Sequence, residues 1–141
     1  MGNGDFEHAL SMVPPQHRDR VMMPGFLCKN DLIKEIDAAM FCVLPSYFEN
    51  FSMAALEVLA RKRALIYTQR ASGMELLADG KEGFLVEPTD VKQLADCMVQ
   101  LIEDKNKRNE FARLGHERCK AKFSVNTIIP QLEHYYEQYV G

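Results

Sequence analysis

The chain lacks several features that would place it quickly in a class of proteins. No run of apolar residues approaches the ~20 that a membrane-spanning helix needs. Basic residues are not in excess: 17 Lys and Arg against 20 Asp and Glu leave a formal charge of −3, so no nucleic-acid-binding surface is expected. The first residues, MGNGD, lack the basic and apolar regions of a secretory signal peptide, and we expect none.

Cysteine and histidine are few and scattered. The cysteines form no C-x-x-C pair, and no histidine stands at the spacing of a zinc site. We therefore expect no metal site and no catalytic triad, and buried or half-buried thiols in a reducing compartment. The residues are Cys28, Cys42, Cys97 and Cys119, and His8, His17, His116 and His134.

Length and composition indicate one ordinary globular domain. The 141 residues are 47% hydrophobic and 26% charged, which is enough apolar material for a core and argues against disorder. A complete two-domain enzyme of ~300 residues or more is excluded for this chain. We predict a single partial domain over residues 1–141.

Short apolar runs alternate with segments of helical spacing. The runs at 20–23, 40–44, 64–68 and 83–86 are typical of strands, and that at 40–44 is continuous, as in strands covered on both faces. Helical spacing recurs at 6–13, from a cap at Asn30 or Asp31 to 40, at 52–60, 74–78, 90–102, around 111–115 and about 124–139. This order predicts an α/β fold: a Rossmann-like, doubly wound parallel sheet with helices on both faces.

The segment from Pro45 to Glu57 carries the chemistry. A buried strand ends in Pro-Ser, a polar and aromatic loop follows, and a helix capped by Ser52 begins. Amides of Phe51, Ser52 and Met53 at the helix start can hold a phosphate. The Glu57 carboxylate can accept two ribose hydroxyls, and Glu49, eight residues earlier, can do the same for a sugar.

Each glutamate also has an ordinary interpretation. A glutamate in the first turns of a helix usually only favours the helix dipole, and a loop glutamate is usually solvated. The pair Glu49 and Glu57, together with the Pro-Ser sequence and the helix cap, is a more specific signal than either residue alone.

The pattern P-S-x-x-E-x-F-[G/S]-x-x-x-L-E at residues 45–57 resembles the E-x₇-E region of retaining glycosyltransferases of GT-B architecture, the family 4 type. Other parts of the chain extend the resemblance in the family's order. These are Gly2–Gly4, Val21–Phe26, Asp31–Leu44, Gly73–Pro88, Asp90–Ala95 and Phe123-Ser124. The resemblance implies the C-terminal, donor-binding half of a GT-B architecture, without its first strand or strands.

The resemblance also implies a role for each matched position. The equivalent of Glu57 binds the donor ribose, and that of Glu49 lies at the donor sugar as a catalytic or positioning carboxylate. The donor-binding positions are Gly25, Phe26 and Leu27 at the base, Asn50, Phe51 and Ser52 at the sugar and diphosphate, and Leu56 and Glu57 in the helix. No metal and no cofactor are implied, since the nucleoside diphosphate sugar is a substrate.

Two departures bear on activity. Ser52 stands where the family usually has glycine. The family's Gly-Arg loop, its diphosphate-clamping lysine and its acceptor-binding N-terminal domain are not in this sequence. We therefore expect an N-terminally truncated chain that is inactive alone and needs the acceptor domain in cis or in trans. We expect the full-length protein to work in the cytoplasm or on the cytoplasmic face of a membrane.

Two other functions stay open at this point. One is a non-catalytic interaction module or split subunit that docks through the final helix or forms a homo-oligomer through an exposed sheet edge. In that helix Tyr135, Tyr136 and Tyr139 could form an interface, although core packing is the more frequent role of such residues. The other is a flavodoxin-like regulator, for which the sequence lacks an early acidic cluster.

Overall fold

The computed structural model of the chain describes residues 6–70 and 72–140, with side chains as far as Tyr139. The chain forms two compact units, one ending at Glu35 and one beginning at Ile36. The turn predicted at Gly2–Gly4 lies outside the described residues.

The described part of the first unit contains two short helices and the start of a third. Helix α1 spans Phe6–Ser11 and ends two residues before the predicted end at 13, and a 3₁₀ helix that we did not predict spans Pro15–Arg20. The strand predicted at 20–23 is wrong: Val21 has extended backbone, but the segment joins no sheet among the described residues, and Met22 is 82% exposed. A continuous apolar run becomes a strand only where another strand can pair with it.

Helix α2 spans Lys29–Ala38 and begins earlier than predicted. The Leu32 amide donates to the Cys28 carbonyl (3.0 Å), so the first turn starts at Cys28 and not at a cap residue Asn30 or Asp31. The Asp31 carboxylate lies inside that turn and accepts from Lys34 Nζ (2.9 Å) and Cys28 Sγ (3.0 Å). These bonds lower the pKa of Asp31, Lys34 having the larger effect.

The second unit is built on a parallel sheet of three strands. They are β1 (Phe41–Leu44), β2 (Ala64–Thr68) and β3 (Phe84–Val86), in the order β1-β2-β3. All five residues of β2 are buried. Because successive side chains of a strand point to opposite faces, β2 is covered on both of them. The predicted α/β fold with a parallel sheet and helices is confirmed.

Among the described residues, five helices follow β1 in the chain. Helix α3 spans Met53–Ala60, α4 Gly73–Leu76, α5 Val91–Glu103, α6 Lys105–Phe123 and α7 Val125–Val140. The predicted caps Ser52 and Asp90 are confirmed: their side chains accept from the amides of Ala55 (3.2 Å) and Gln93 (2.9 Å). Such a cap contributes about 1 kcal/mol to stability.

One cluster of the core lies between the sheet and helices α5 and α6. Its buried members include Ile66, Val86, Cys97, Leu101 and Phe111, and the Phe111 ring packs edge-on against Phe84 at 4.9 Å between centroids. Burial raises the pKa of the Cys97 thiol, as it does for Cys42 and Cys119. Cys28 is exposed, which differs from the predicted burial.

Helices α3 and α5 each bury only part of their apolar residues. In α3, which packs on both β2 and α6, Ala55, Val58 and Leu59 are buried, whereas Ala60 is exposed. In α5, Cys97 and Leu101 are buried, while Val91 and Ile102 at its two ends are exposed.

Helix α7 presents its tyrosines to solvent. Tyr135, Tyr136 and Tyr139 are 55%, 62% and 71% exposed, so the core-packing interpretation is wrong for them. The Tyr135 ring contacts the other two, at 6.0 Å from Tyr136 and 4.9 Å from Tyr139. Across residues 6–70 and 72–140 none of the helices combines the length and apolar character that crossing a bilayer requires.

Candidate functional site

The predicted site lies in the loop and helix that follow β1. Pro45 and Ser46, directly after the strand, are half-buried, and the next residues, Tyr47 and Phe48, are 66% and 78% exposed. The loop ends at Ser52. It therefore crosses the carboxyl edge of the parallel sheet, where ligands of such sheets bind.

The start of α3 offers backbone donors for an anion. Ser52 is 5% exposed, and its Oγ accepts a hydrogen bond from the Ala55 amide. The amides of Ser52, Met53 and Ala54 have no hydrogen-bond partner in the described part of the chain. Phe51 precedes the cap and lies outside the helix. The sequence interpretation missed the Ala54 amide as a donor. A cap at Ser52 already implies this donor, because Ala54 is the second residue of the helix and the first amides of a helix have no partner within it.

Glu57 lies one turn further along α3 and faces a groove. The groove has a volume of about 370 Å³ and is lined by Leu56, Glu57 and Ala60 of α3 and by residues of α6 that include Cys119 and Phe123. Glu57 is half-buried and forms no ion pair or side-chain hydrogen bond with the described residues. Its carboxylate is therefore available to a ligand.

Glu49 lies in the loop, half-buried, and is not part of the wall of that groove. It too forms no ion pair within residues 6–70 and 72–140. The adjacent Asn50 is exposed, and the ring of Phe51 packs edge-on against Phe123 of α6, 5.5 Å between centroids. The two glutamates thus share one loop-helix unit without sharing this groove.

The predicted base-binding residues belong to the first unit. Gly25 has φ +69°, a left-handed conformation that glycine adopts without strain. Phe26 is 83% exposed, and Leu27 is half-buried. Their contact with a nucleotide base stays a prediction.

A polar network joins the carboxyl ends of β2 and β3. The Glu87 carboxylate accepts from both Nε and Nη2 of Arg70, from Gln69 Nε2 (3.1 Å) and from Thr89 Oγ1 (3.0 Å). These donors, Arg70 first, lower the pKa of Glu87 to about 2. The Arg70 guanidinium carbon also lies 6.0 Å from the centroid of the Tyr47 ring. No sequence signal pointed to this network.

The Glu87 carboxyl gives a direct pH prediction. Because its folded pKa lies below the ordinary 4.5, its contribution to stability is fully present above pH 4.5 and is lost as the pH falls from there towards 2. We expect Arg70→Met to raise the pKa of Glu87. We also expect the melting temperature of this variant to depend less on pH between pH 2 and 4.5. NMR titration of the side-chain carboxyl measures the first effect and thermal unfolding the second. An unchanged Glu87 pKa in the variant would contradict the assignment.

The described residues offer no candidate metal-binding site. Among residues 6–70 and 72–140, no three His, Cys, Asp or Glu side chains are grouped so that they could hold an ion. The donors at the start of α3 are backbone amides, which bind anions directly.

The fold and this site define a class: a parallel α/β domain with free helix amides and an unpaired carboxylate at the carboxyl edge of its sheet. Comparison with known proteins gives the family. Residues 1–104 match the family described as "Glycosyl transferases group 1", and the chain belongs to it.

Individual relatives and solved structures agree with this membership. The chain is 28% identical over 121 residues to the alpha-D-kanosaminyltransferase of Streptomyces kanamyceticus, covering 86% of this chain and 31% of the relative. It superposes on sucrose-phosphate synthase from Thermosynechococcus elongatus with a TM-score of 0.78 at 28% identity, covering 87% of this chain and 32% of the other.

A third match is a separate C-terminal domain. The C-terminal domain of a glycosyl transferase group 1 family protein (LpcC) from Francisella tularensis matches with a TM-score of 0.66 at 32% identity, over 72% of this chain and 52% of the other. The chain therefore spans about a third of the length of the first two proteins and has the fold of a C-terminal glycosyltransferase domain.

Proposed function

We propose that this chain is the donor-binding part of a retaining glycosyltransferase, which moves a hexose from a nucleoside diphosphate sugar to a hydroxyl acceptor. The observation that carries the proposal is the start of α3, where free amides and the unpaired Glu57 lie one turn apart at the carboxyl edge of the sheet. Family membership makes transfer of a sugar the expected reaction.

Each group at this edge has a task in that reaction. The amides of Met53 and Ala54 bind the diphosphate, whose negative charge grows as it leaves the sugar, so they stabilise the transition state. Glu57 accepts the ribose hydroxyls and fixes the nucleoside. Glu49 contacts the donor sugar as the catalytic carboxylate of the loop. No metal or cofactor takes part, because backbone dipoles and basic groups neutralise the diphosphate.

We further propose that the chain alone binds donor weakly and does not turn over. The family's Gly-Arg loop and lysine, which clamp the diphosphate, are not in this sequence, and a separate N-terminal domain binds the acceptor, in cis or in trans. The whole protein would act in the cytoplasm, or at the cytoplasmic face of a membrane. No nucleic acid is needed for the reaction.

Titration calorimetry tests the proposal on the chain as it is. We expect uridine or guanosine diphosphate to bind more tightly than the matching nucleoside, because the helix amides gain a phosphate. An assay with nucleotide sugars and a mixed acceptor pool should give no transfer. Equal affinities for nucleoside and nucleoside diphosphate would contradict the phosphate site, and robust transfer would contradict the need for a second domain.

A second candidate is a non-catalytic interaction module. The observation that favours it is the exposed tyrosine cluster of α7, since aromatic residues are enriched in protein interfaces. The outer edge of β1, which pairs only with β2 among the described strands, offers a further surface for a homo-oligomer. Such a module would bind no nucleotide, and the calorimetry above distinguishes the two functions.

A further inference from the structure

We propose that Arg70 is a positioning residue, which fixes the loop between β1 and α3 by holding the Tyr47 ring. The proposal rests on the function proposed above, because that loop carries Glu49. Arg70 would not contact the donor itself. It follows β2 in the chain, and it acts on the neighbouring loop from the side.

The Arg70 guanidinium is itself held in one orientation. Two of its nitrogens bind the Glu87 carboxylate, as a planar fork matched to a planar acceptor. Glu87 is fixed in turn: Gln69 and Thr89 donate to its carboxylate, and its own amide donates to Gln93 Oε1 (2.9 Å) at the start of α5. Because Glu87 is fixed by these other bonds, the two bonds that it accepts from Arg70 keep the guanidinium in one orientation.

Arg70 touches the Tyr47 ring. The guanidinium carbon lies over the ring, 6.0 Å from its centroid, which is within the range of a cation–π interaction. Tyr47 is 66% exposed, so few other groups restrain it. It precedes Glu49 by two residues, in a stretch without regular secondary structure.

The loop therefore has two aromatic anchors, one on each side of Glu49. Tyr47 is held by Arg70, and Phe51 packs against Phe123 of α6. Between the anchors lie only Phe48, Glu49 and Asn50. Removing the first anchor frees Glu49 on one side, which should broaden the positions of its carboxylate while leaving the helix amides in place.

The first test needs no ligand. We expect Arg70→Met and Tyr47→Ala to lower the heteronuclear NOE of the Glu49 and Asn50 amides in ¹⁵N-labelled chain, and Tyr47→Phe, which keeps the ring, to restore it. Arg113→Met is the matched control, because it removes another exposed Arg–Glu pair (Arg113–Glu117, 2.8 Å) on α6, away from the loop. Loop amides as ordered in Arg70→Met as in the unchanged chain would overturn the proposal, as would an equal effect of Arg113→Met.

The second test links the loop to the donor. The preference for a nucleotide sugar over the corresponding nucleoside diphosphate, measured by calorimetry, should fall about two- to fivefold in Arg70→Met and Tyr47→Ala. Binding of the nucleoside diphosphate itself should not change, which a general loss of structure could not produce.

The outcomes separate this proposal from the function on which it rests. A preference that is unchanged in both variants would overturn the positioning role. Loop amides that respond to Arg70→Met, in a chain that binds no nucleotide at all, would support the positioning of the loop and contradict the proposed function.

Discussion

Glu57→Gln should weaken binding of uridine or guanosine diphosphate by about 10- to 100-fold. The substitution keeps the shape of the side chain and removes its charge, and hydrogen bonds to a charged group contribute about 1.5–3 kcal/mol. Glu57 forms no ion pair with the described residues, so the loss should appear in binding and not in folding. Titration calorimetry with both nucleotides measures it.

The matched control is Glu110→Gln on the exposed surface of α6, which removes the same charge away from the loop. It should leave affinity unchanged, which excludes an effect of net charge alone. The nucleoside should lose affinity by the same factor as the nucleoside diphosphate, because Glu57 acts on the ribose. Equal nucleotide affinity in Glu57→Gln and the unchanged chain would contradict the proposed role.

Features that depend on neighbouring residues could be predicted from the sequence. The run Ala64–Thr68 is continuous and mainly apolar, as is typical of a strand buried on both faces, and it forms β2. Ser52 and Asp90 are short polar residues directly before apolar helical spacing, and both cap their helices. The E-x₇-E pattern located Glu49 and Glu57 on one loop and helix, since that arrangement is also local.

Features that depend on distant partners could not be predicted. Arg70 and Glu87 are 17 residues apart and meet because β2 and β3 pair in parallel with Thr68 opposite Val86. Phe51 and Phe123 meet only once α3 packs on α6. The apolar run at 20–23 lacks a pairing strand in the described sheet, and nothing in its own composition reveals this.

The exposure of the α7 tyrosines has the same cause. Helical spacing predicts that Tyr135 and Tyr139 share a face, and their rings do contact one another. Whether such a face is buried depends on what lies opposite it. In the described residues the main packing partner of α7 is α6. The side chains of α7 are therefore exposed to solvent from Ile129 to Tyr139.

Gly73→Ala should destabilise the chain by about 3 kcal/mol, a large share of the total for a domain of this size. A Cβ built on Gly73 would overlap the carbonyl oxygen of Thr68 and would lie 3.1 Å from its carbon. Both atoms belong to the backbone at the buried end of β2, so no side-chain rotation can relieve the contact. Helix α4 would have to move away from the sheet, close to the network that holds Arg70.

Urea unfolding followed by circular dichroism measures this loss. The matched control is Met74→Ala, the next residue of α4, whose side chain is 75% exposed and which should stay within about 0.5 kcal/mol of the unchanged chain. Because α4 begins at the carboxyl edge of the sheet, Gly73→Ala should also raise the mobility of the adjoining loops before global unfolding. An unfolding midpoint equal to that of Met74→Ala would show that α4 is not packed against β2 as closely as these distances require.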